Sequence, residues 1–290
     1  MTRRYGDQAY GQAAEVAPAV LRIIAPNPKP FTYRGTNSYV VGDDPVVIID
    51  PGPALTRHAD AVMQAVDGRQ VAAILVTHSH IDHSGGAFAL RARTGAPVFG
   101  FGALPAMPQS DAIEADYDFA FAPTHQLQDR ARLTFNGLGI EAIHTPGHFP
   151  NHLCFRLAGG DLIFSGDHVM GWSSTVIAPP IGDMAQYMAS LDKLLAHGAR
   201  WLLPGHGPRI ANPHKAIKAL IAHRIEREGQ VLDCLKQGLS RADDIARAIY
   251  DPLEPILFAA ACKSVEAHKL HLIAQGLWRE PKKTCSETLA

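Results

Sequence analysis

The segment "THSHIDHSGG" (77–86) sets His78, His80, Asp82 and His83 within six positions at the end of an apolar run. Neutral imidazole nitrogens and carboxylate oxygens are the donors that zinc and related borderline ions take. His78 and His80 lie two apart on a loop, so both rings can face one ion. Three more polar clusters follow apolar, strand-like runs: "IEAIHTPG" precedes His148, "DLIFSG" precedes Asp167 and "WLLPG" precedes His206. Adding His148 to His78 and His80 gives a three-histidine group. Asp82, His83 and His206 can form a second group beside it, and Asp167 is the candidate carboxylate to bridge two ions about 3.5–4 Å apart.

Side chains so far apart in sequence meet only if rigid elements deliver them to one edge, and strand ends do this. "NSYVVGDDPVVIIDPGP" (37–53) reads as two short strands around a turn at "GDDP", and "ADAVMQAV" (59–66) has helical apolar spacing. "VAAILVT" (71–77) is a continuous apolar run of strand length, expected to be buried on both faces. A short helix follows at 85–94, a strand at 96–101, and irregular loops near the site mouth at 102–125. The second half repeats this texture with strands, a helix at 184–198 and the strand "RWLLPGHG", which together suggest two packed sheets covered by helices. After residue 212 the pattern becomes helical: 214–238, then 240–250 with Ser240 as expected N-cap, then 256–280 with a turn at Gly276.

The formal net charge of −1 gives no global pull toward nucleic acid or anionic membrane. The four cysteines (154, 234, 262 and 285) form no CxxC pair, which favours a reduced, cytoplasmic setting. The N-terminal segment lacks a long apolar stretch and reads poorly as a signal peptide, and no apolar run reaches membrane-spanning length.

Taken in order, "THSHIDHSGG", "HTPGHFPNH", "FSGDH" and "LPGHGP" resemble the metal motifs of the metallo-β-lactamase-fold hydrolases, over about residues 30–212. The resemblance implies an αββα sandwich, an α/β (α+β) fold, with a dimetal site at one edge of its sheets. "IDPGP" is similar to the family's first motif, with Asp50 as a buried supporting acid, and His152 stands where the family often has a second histidine behind the metals. A closer resemblance is to the β-lactamase-like protein 2 subgroup. It rests on "NPKPFTYRGTNSYVVG", "GDHVMGWSSTVIAPPIGDMAQYMASL" and "PGHGPRIANPHKAIKALIAHR", and it implies a catalytic domain at 1–212 and a small helical, winged-helix-like domain at 213–290. Some members of that subgroup cleave single-stranded RNA. Two departures bear on the pocket: Phe149 replaces a small hydroxyl residue, and Trp172 stands where relatives are smaller or polar.

The implied chemistry is hydrolysis, with a hydroxide bridging two metals, Asp82 orienting it, and two Zn2+ as expected cofactors, Fe or Mn being the alternatives. The first candidate substrate is a small-molecule carbonyl compound: an ester, a thioester, a lactone or, promiscuously, a β-lactam. The second is single-stranded RNA cut at the same site. A third reading is a mononuclear iron sulfur dioxygenase, which shares HxHxDH. An exported class B1 β-lactamase is disfavoured because Asp167 stands where those enzymes use cysteine. Ser174 and Thr175, like Asn37 and Tyr39, can touch substrate or serve only as loop and turn hydrogen bonders. Lys215, Lys218, Arg224 and Arg227 recur at helical spacing, which reads as a solvated face, with nucleic-acid contact the minority reading. Oligomeric state carries no sequence signal here.

Overall fold

The computed structural model describes residues 5–104, 116–159, 161–250 and 252–280. Its first sheet runs in sequence order: β1 (Ala14–Ala17), β2 (Val20–Ile24), β3 (Asn37–Val41), β4 (Val46–Ile49), β5 (Val71–Leu75), β6 (Val98–Gly100) and β7 (His125–Gln126). β1 to β4 are antiparallel neighbours and β4 to β7 are parallel. The second sheet has the order β12-β11-β10-β9-β8, from β8 (Arg132–Phe135), β9 (Leu138–His144), β10 (Leu153–Leu157), β11 (Leu162–Gly166) and β12 (Trp201–Pro204).

Period-two alternation fixes which face each strand residue serves. Tyr39, Val41, Val47 and Ile49 point between the sheets, where they meet Ile140, Phe155, Phe164 and Leu203. Val40 and Ile48 point the other way, against α1 (Thr56–Val66) and α3 (Ala87–Thr94), through Val62, Val66 and Leu90. The outer face of the second sheet, with Ile143, Ile163 and Leu202, packs on α4 (Met184–His197) through Tyr187, Leu191 and Leu194. Helix, sheet, sheet and helix thus stack in the expected αββα order, and strands at 37–41, 46–49 and 71–75 fall within the stretches read as strands.

The chain ends in α5 (Pro213–Lys236), α6 (Ala242–Ile249) and α7 (Pro255–Ala274). Asn212 caps α5 by accepting from Lys215 N at 3.0 Å, with Pro213 at the first helical position. Ile217 and Ala267 join the core under α4, whereas Val231, Leu235, Ile245 and Val265 form a cluster of their own. The α6 cap differs from expectation. The helix starts after Arg241, which has extended backbone, while the Ser240 carbonyl instead accepts from Lys269 Nζ at 2.6 Å. Residues 281–290, with Cys285 among them, and 105–115, within the expected mouth loops, lie outside the described residues. Among the described residues, no helix is long and apolar enough to cross a membrane.

Candidate metal centre

Every candidate ligand leaves the same edge of the sandwich. The loop after β5 carries His78 and His80, and the four-residue helix α2 (Ile81–Ser84) follows at once, with Asp82 and His83 on it. His148 sits in the turn between β9 and β10, Asp167 directly after β11, and His206 two residues after β12. Two glycines let these segments close in. A side chain on Gly147 (φ +135°) would put its Cβ 2.3 Å from the Tyr187 Cα. One on Gly205 would meet Asp167 Oδ1 and the His83 ring at 2.5 Å.

Two groups of donors result. In His78, His80, His148 and Asp167, one ligand atom from each lies within 4.8 Å of all the others, and the same holds for Asp82, His83 and His206. Asp167 faces both: its Oδ2 is 4.0 Å from His78 Nε2, 4.0 Å from His148 Nε2 and 3.3 Å from His206 Nε2. The spacing suits a metal. Tetrahedral ligation at about 2.0–2.1 Å per nitrogen sets ligand nitrogens about 3.3 Å apart. His80 Nδ1 and His148 Nε2 stand 3.2 Å apart, and His83 Nε2 and His206 Nε2 3.3 Å. His78 Nε2 and His80 Nδ1 are closer, at 2.7 Å. Ring nitrogens aimed at each other across such gaps present lone pairs or protons to a shared point, and a cation there satisfies them together.

The opposite nitrogens of the His148, His206 and His83 rings are tied down, which fixes the orientation of those rings. His148 Nδ1–H donates to the Val176 carbonyl at 2.8 Å, His206 Nδ1 contacts the Gly35 carbonyl at 3.2 Å, and His83 Nδ1 pairs with Asp50 Oδ2 at 2.8 Å. Asp50 (φ +50°) also accepts from Thr77 N at 2.8 Å and Thr77 Oγ1 at 2.9 Å, so it stands beneath the cluster as a supporting acid. His152 supports it from another side. Its Nε2 accepts from Asp167 N at 3.2 Å, so the neutral ring's Nδ1–H faces Thr145 Oγ1 at 2.8 Å.

The two groups differ electrostatically. Burial, reinforced by neighbouring histidines, holds His80 down to about 3 and His78 well below the usual imidazole range, so both stay neutral as ligation requires. In the other group burial also acts downward. There the Asp167 and Asp82 carboxylates outweigh it and hold His206 up to about 10 and His83 well above the ordinary value. The Asp167 carboxyl lies well below its usual range because His206 and His83 outweigh the effect of burial. Such a field retains positive charge, whether protons or a metal cation.

A cavity of about 390 Å³ opens on both groups. Phe149, only 1% exposed, forms part of its wall, with its ring 4.2 Å from that of His80 and edge-on to Tyr117 at 4.8 Å. Trp172 lines the mouth, 39% exposed and stacked on Tyr33 at 5.0 Å. Ser174 and Thr175 line the cavity too, and Thr175 Oγ1 lies 3.1 Å from His148 Nδ1. Asn37 and Tyr39 do not reach it. Both are buried, and both donate to the Pro204 carbonyl, at 2.9 and 2.7 Å, bracing the turn that carries His206.

Other contributors had no sequence signal of their own. Thr36 Oγ1 donates to Asp82 Oδ2 at 2.6 Å; it adjoins "NSY" but carries no metal-ligand chemistry. The far wall comes from Tyr250, Leu253, Leu257, Ala260 and Ala261 around α7, whose apolar spacing reads as ordinary helix core. The basic helical stripe breaks up. Lys215 and Lys218 are exposed, but Arg224 is buried, and Arg227 lies over the Tyr250 ring at 4.4 Å.

Residues 32–206 match the profile of the Metallo-beta-lactamase superfamily. The chain is 31% identical over 281 residues to the Beta-lactamase-like protein 2 homolog of Drosophila melanogaster, covering 93% of this chain and 92% of that protein. It is 32% identical over 225 residues to the Atrochrysone carboxyl ACP thioesterase of Aspergillus fumigatus, covering 76% of this chain and 66% of that protein. Among solved structures, a metallo-beta-lactamase family protein from Thermus thermophilus superposes with a TM-score of 0.75 at 22% identity, covering 90% of this chain and 95% of that one. A Beta-lactamase domain protein from Burkholderia ambifaria does so at 0.77 and 21%, covering 95% and 92%. At such identities the structural likeness speaks to the fold.

Proposed function

The chain belongs to the metallo-beta-lactamase superfamily, and from that premise we propose a dinuclear zinc hydrolase that cleaves a carbonyl substrate, foremost a thioester. His78, His80 and His148 would hold one ion and Asp82, His83 and His206 the other, with Asp167 placed to serve both. When bound, such ions lower the pKa of water toward about 7 and polarise the substrate's oxygen. Asp82, fixed by the Thr36 hydroxyl, orients the attacking water. Phe149 and Tyr117 keep bulk water from the carbonyl, which strengthens every charge interaction inside. The region after residue 212 acts as a second, winged-helix-like unit, of which Tyr250, Leu253 and Leu257 wall the pocket. The free thiols at Cys154, Cys234 and Cys262 suit a reducing, cytoplasmic setting.

The carrying observation is the largely apolar pocket that opens on both donor groups. An acyl group fits such a space, whereas a nucleic-acid strand needs a cationic groove with stacking platforms. The Aspergillus fumigatus relative, named a thioesterase, points the same way. One feature favours single-stranded RNA as a second reading: the exposed Tyr33–Trp172 stack at the mouth can take a base. The paired donor groups speak against a mononuclear iron dioxygenase.

The test is metal analysis followed by assays on a thioester, a lactone, a β-lactam, a phosphodiester and single-stranded RNA. Two zinc ions per chain and thioester turnover are expected, with Asp82→Asn and His148→Ala folded but inactive. A protein without metal, or with one iron, would sink the reading. RNA cleavage falling steeply with salt would transfer it to the nuclease.

A further inference from the structure

The wall supplied by the C-terminal helices holds one charged side chain that the hydrolytic chemistry does not use. Arg224, on α5, is 3% exposed and lines the cavity with Tyr250, Leu257 and Ser264. Its guanidinium lies 5.3 Å from the centre of the Tyr187 ring, and Nη2 donates to the Thr175 carbonyl. Nε–H is buried without an acceptor. Among the described residues no carboxylate pairs with Arg224, in contrast to Arg156 with Glu141 or Arg241 with Asp243. Arg22, equally buried, gives Nε and Nη2 to Gln8 Oε1.

A buried cation without a counter-charge is costly, and one tyrosine, which it also hydrogen-bonds, and one carbonyl offset that only in part. The open side is the cavity, so the missing partner is an anion that enters with the substrate. Planar guanidinium matches carboxylate geometry in particular. Thr175 sets the scale: its carbonyl accepts from Arg224 while its hydroxyl lies 3.1 Å from His148 Nδ1. One residue therefore separates the guanidinium from the donor cluster.

We propose that Arg224 is a specificity residue for thioesters whose acyl group ends in a carboxylate, that is, monothioesters of short dicarboxylic acids. The thioester carbonyl lies at the His/Asp cluster, the methylenes pass Phe149 and Leu257, and the terminal carboxylate pairs with Arg224. This rests on the thioesterase reading for its carbonyl end, but the carboxylate end can be measured without turnover.

The experiment compares binding of two non-hydrolysable thioether analogues of a glutaryl thioester, one with the free carboxylate and one with its methyl ester. Each is titrated calorimetrically into the protein as purified and into Arg224→Met. The carboxylate analogue should bind the native protein more tightly and weaken by about 10–100-fold in Arg224→Met, the scale of a charged hydrogen-bonded pair, with the ester analogue losing far less. Arg224→Lys, which keeps the charge without the fork, should fall between, and it reads the same contrast if the Met variant does not fold. Equal weakening of both analogues would overturn the proposal, since Arg224 would then only hold the Thr175 loop. So would a carboxylate preference that survives in Arg224→Met, which places the acid on the metals. If no thioester is turned over but the Arg224-dependent preference persists, the thioesterase reading fails while the carboxylate subsite stands.

Discussion

On one side of the pocket, seven polar side chains converge from four strand ends over a second layer in which Thr77 meets the His78 ring, Asp50 the His83 ring, the Val176 carbonyl the His148 ring and His152 the Asp167 main-chain N–H. On the other side, Leu253, Leu257, Ala260 and Ala261 present apolar surface from α7 and the loop before it. A donor must aim a lone pair within tenths of an ångström, so each needs a neighbour to fix it. An apolar wall needs only volume, and many residues supply it. Chemistry is therefore tied to short local motifs, whereas selectivity rests on a surface that can change without harm to the fold.

The comparison breaks most sharply at Asp167. Asp167→Asn removes the charge that faces both donor groups, at 3.3 Å from His206 and 3.4 Å from His83. A loss on the order of a thousandfold in kcat/KM is expected, the scale of deleting a group that stabilises developing charge. Bound metal should fall below that of the native protein by elemental analysis, with the circular dichroism spectrum retained. Undiminished metal content would show that the donor wall is less interdependent than its geometry implies.

On the opposite wall, Leu257→Trp fills cavity volume without touching a donor. Turnover of a bulky acyl thioester should fall about 10–100-fold more than that of an acetyl thioester, in line with what one or a few methylenes are worth in an apolar pocket. Metal content should not change. A uniform loss across acyl sizes would mean that this wall does not discriminate.

The donor wall itself divides by pH. His206, held up to about 10, and His83, held well above its ordinary value, keep protons at pH 7, so metal uptake by their group must displace them. Affinity there should rise with pH by up to about tenfold per unit for each proton displaced. His78 and His80 lie well below the usual range and are already neutral, so affinity at their group should stay flat between pH 6 and 8. Zinc titrations across that range, in buffers of different ionisation enthalpy, should resolve one proton-releasing site and one silent site. Two sites with the same pH slope would contradict the division.

The donor wall was legible in the sequence because each ligand follows an apolar run and its residue type is rare in such a place. "THSHIDHSGG" and the three later clusters do converge; the repeated texture of strands and helices suggests two packed sheets, and the αββα order comes from the resemblance of those motifs to the metallo-β-lactamase-fold hydrolases. The sequence leaves Asn37 and Tyr39 open between substrate contact and turn hydrogen bonding, because a buried side chain bracing the Pro204 turn uses the same polar atoms as one that meets substrate. Arg224 read as part of a solvated stripe, since helical spacing cannot tell which side of α5 turns inward against Tyr187. The α7 wall was invisible for a general reason: apolar helical periodicity announces burial, not whether the burial is against protein or against a ligand.

The smallest expected effect on catalysis comes from loosening the helices away from the cavity. Ile245 is fully buried in a cluster with Val231, Leu235 and Val265, separate from the sandwich core; it does not itself line the pocket, whereas Ala261 and Tyr250 of the same cluster do. Truncation to alanine leaves a void that close-packed neighbours only partly fill, and should cost about 2–5 kcal/mol. Ile217 near the start of α5 and Ala267 on one face of α7 pack into the core under α4, so each helix keeps an anchor outside that cluster. Ile245→Ala should then speed amide exchange in α6 and the far half of α5 while leaving metal content intact and acetyl thioester turnover within about twofold, since Ile245 touches no donor and reaches the pocket only through Ala261 and Tyr250. If exchange instead rises across β11 and β12 as well, the two walls unfold as one unit, and the freedom of the selectivity surface to vary apart from the metal-binding edge is lost.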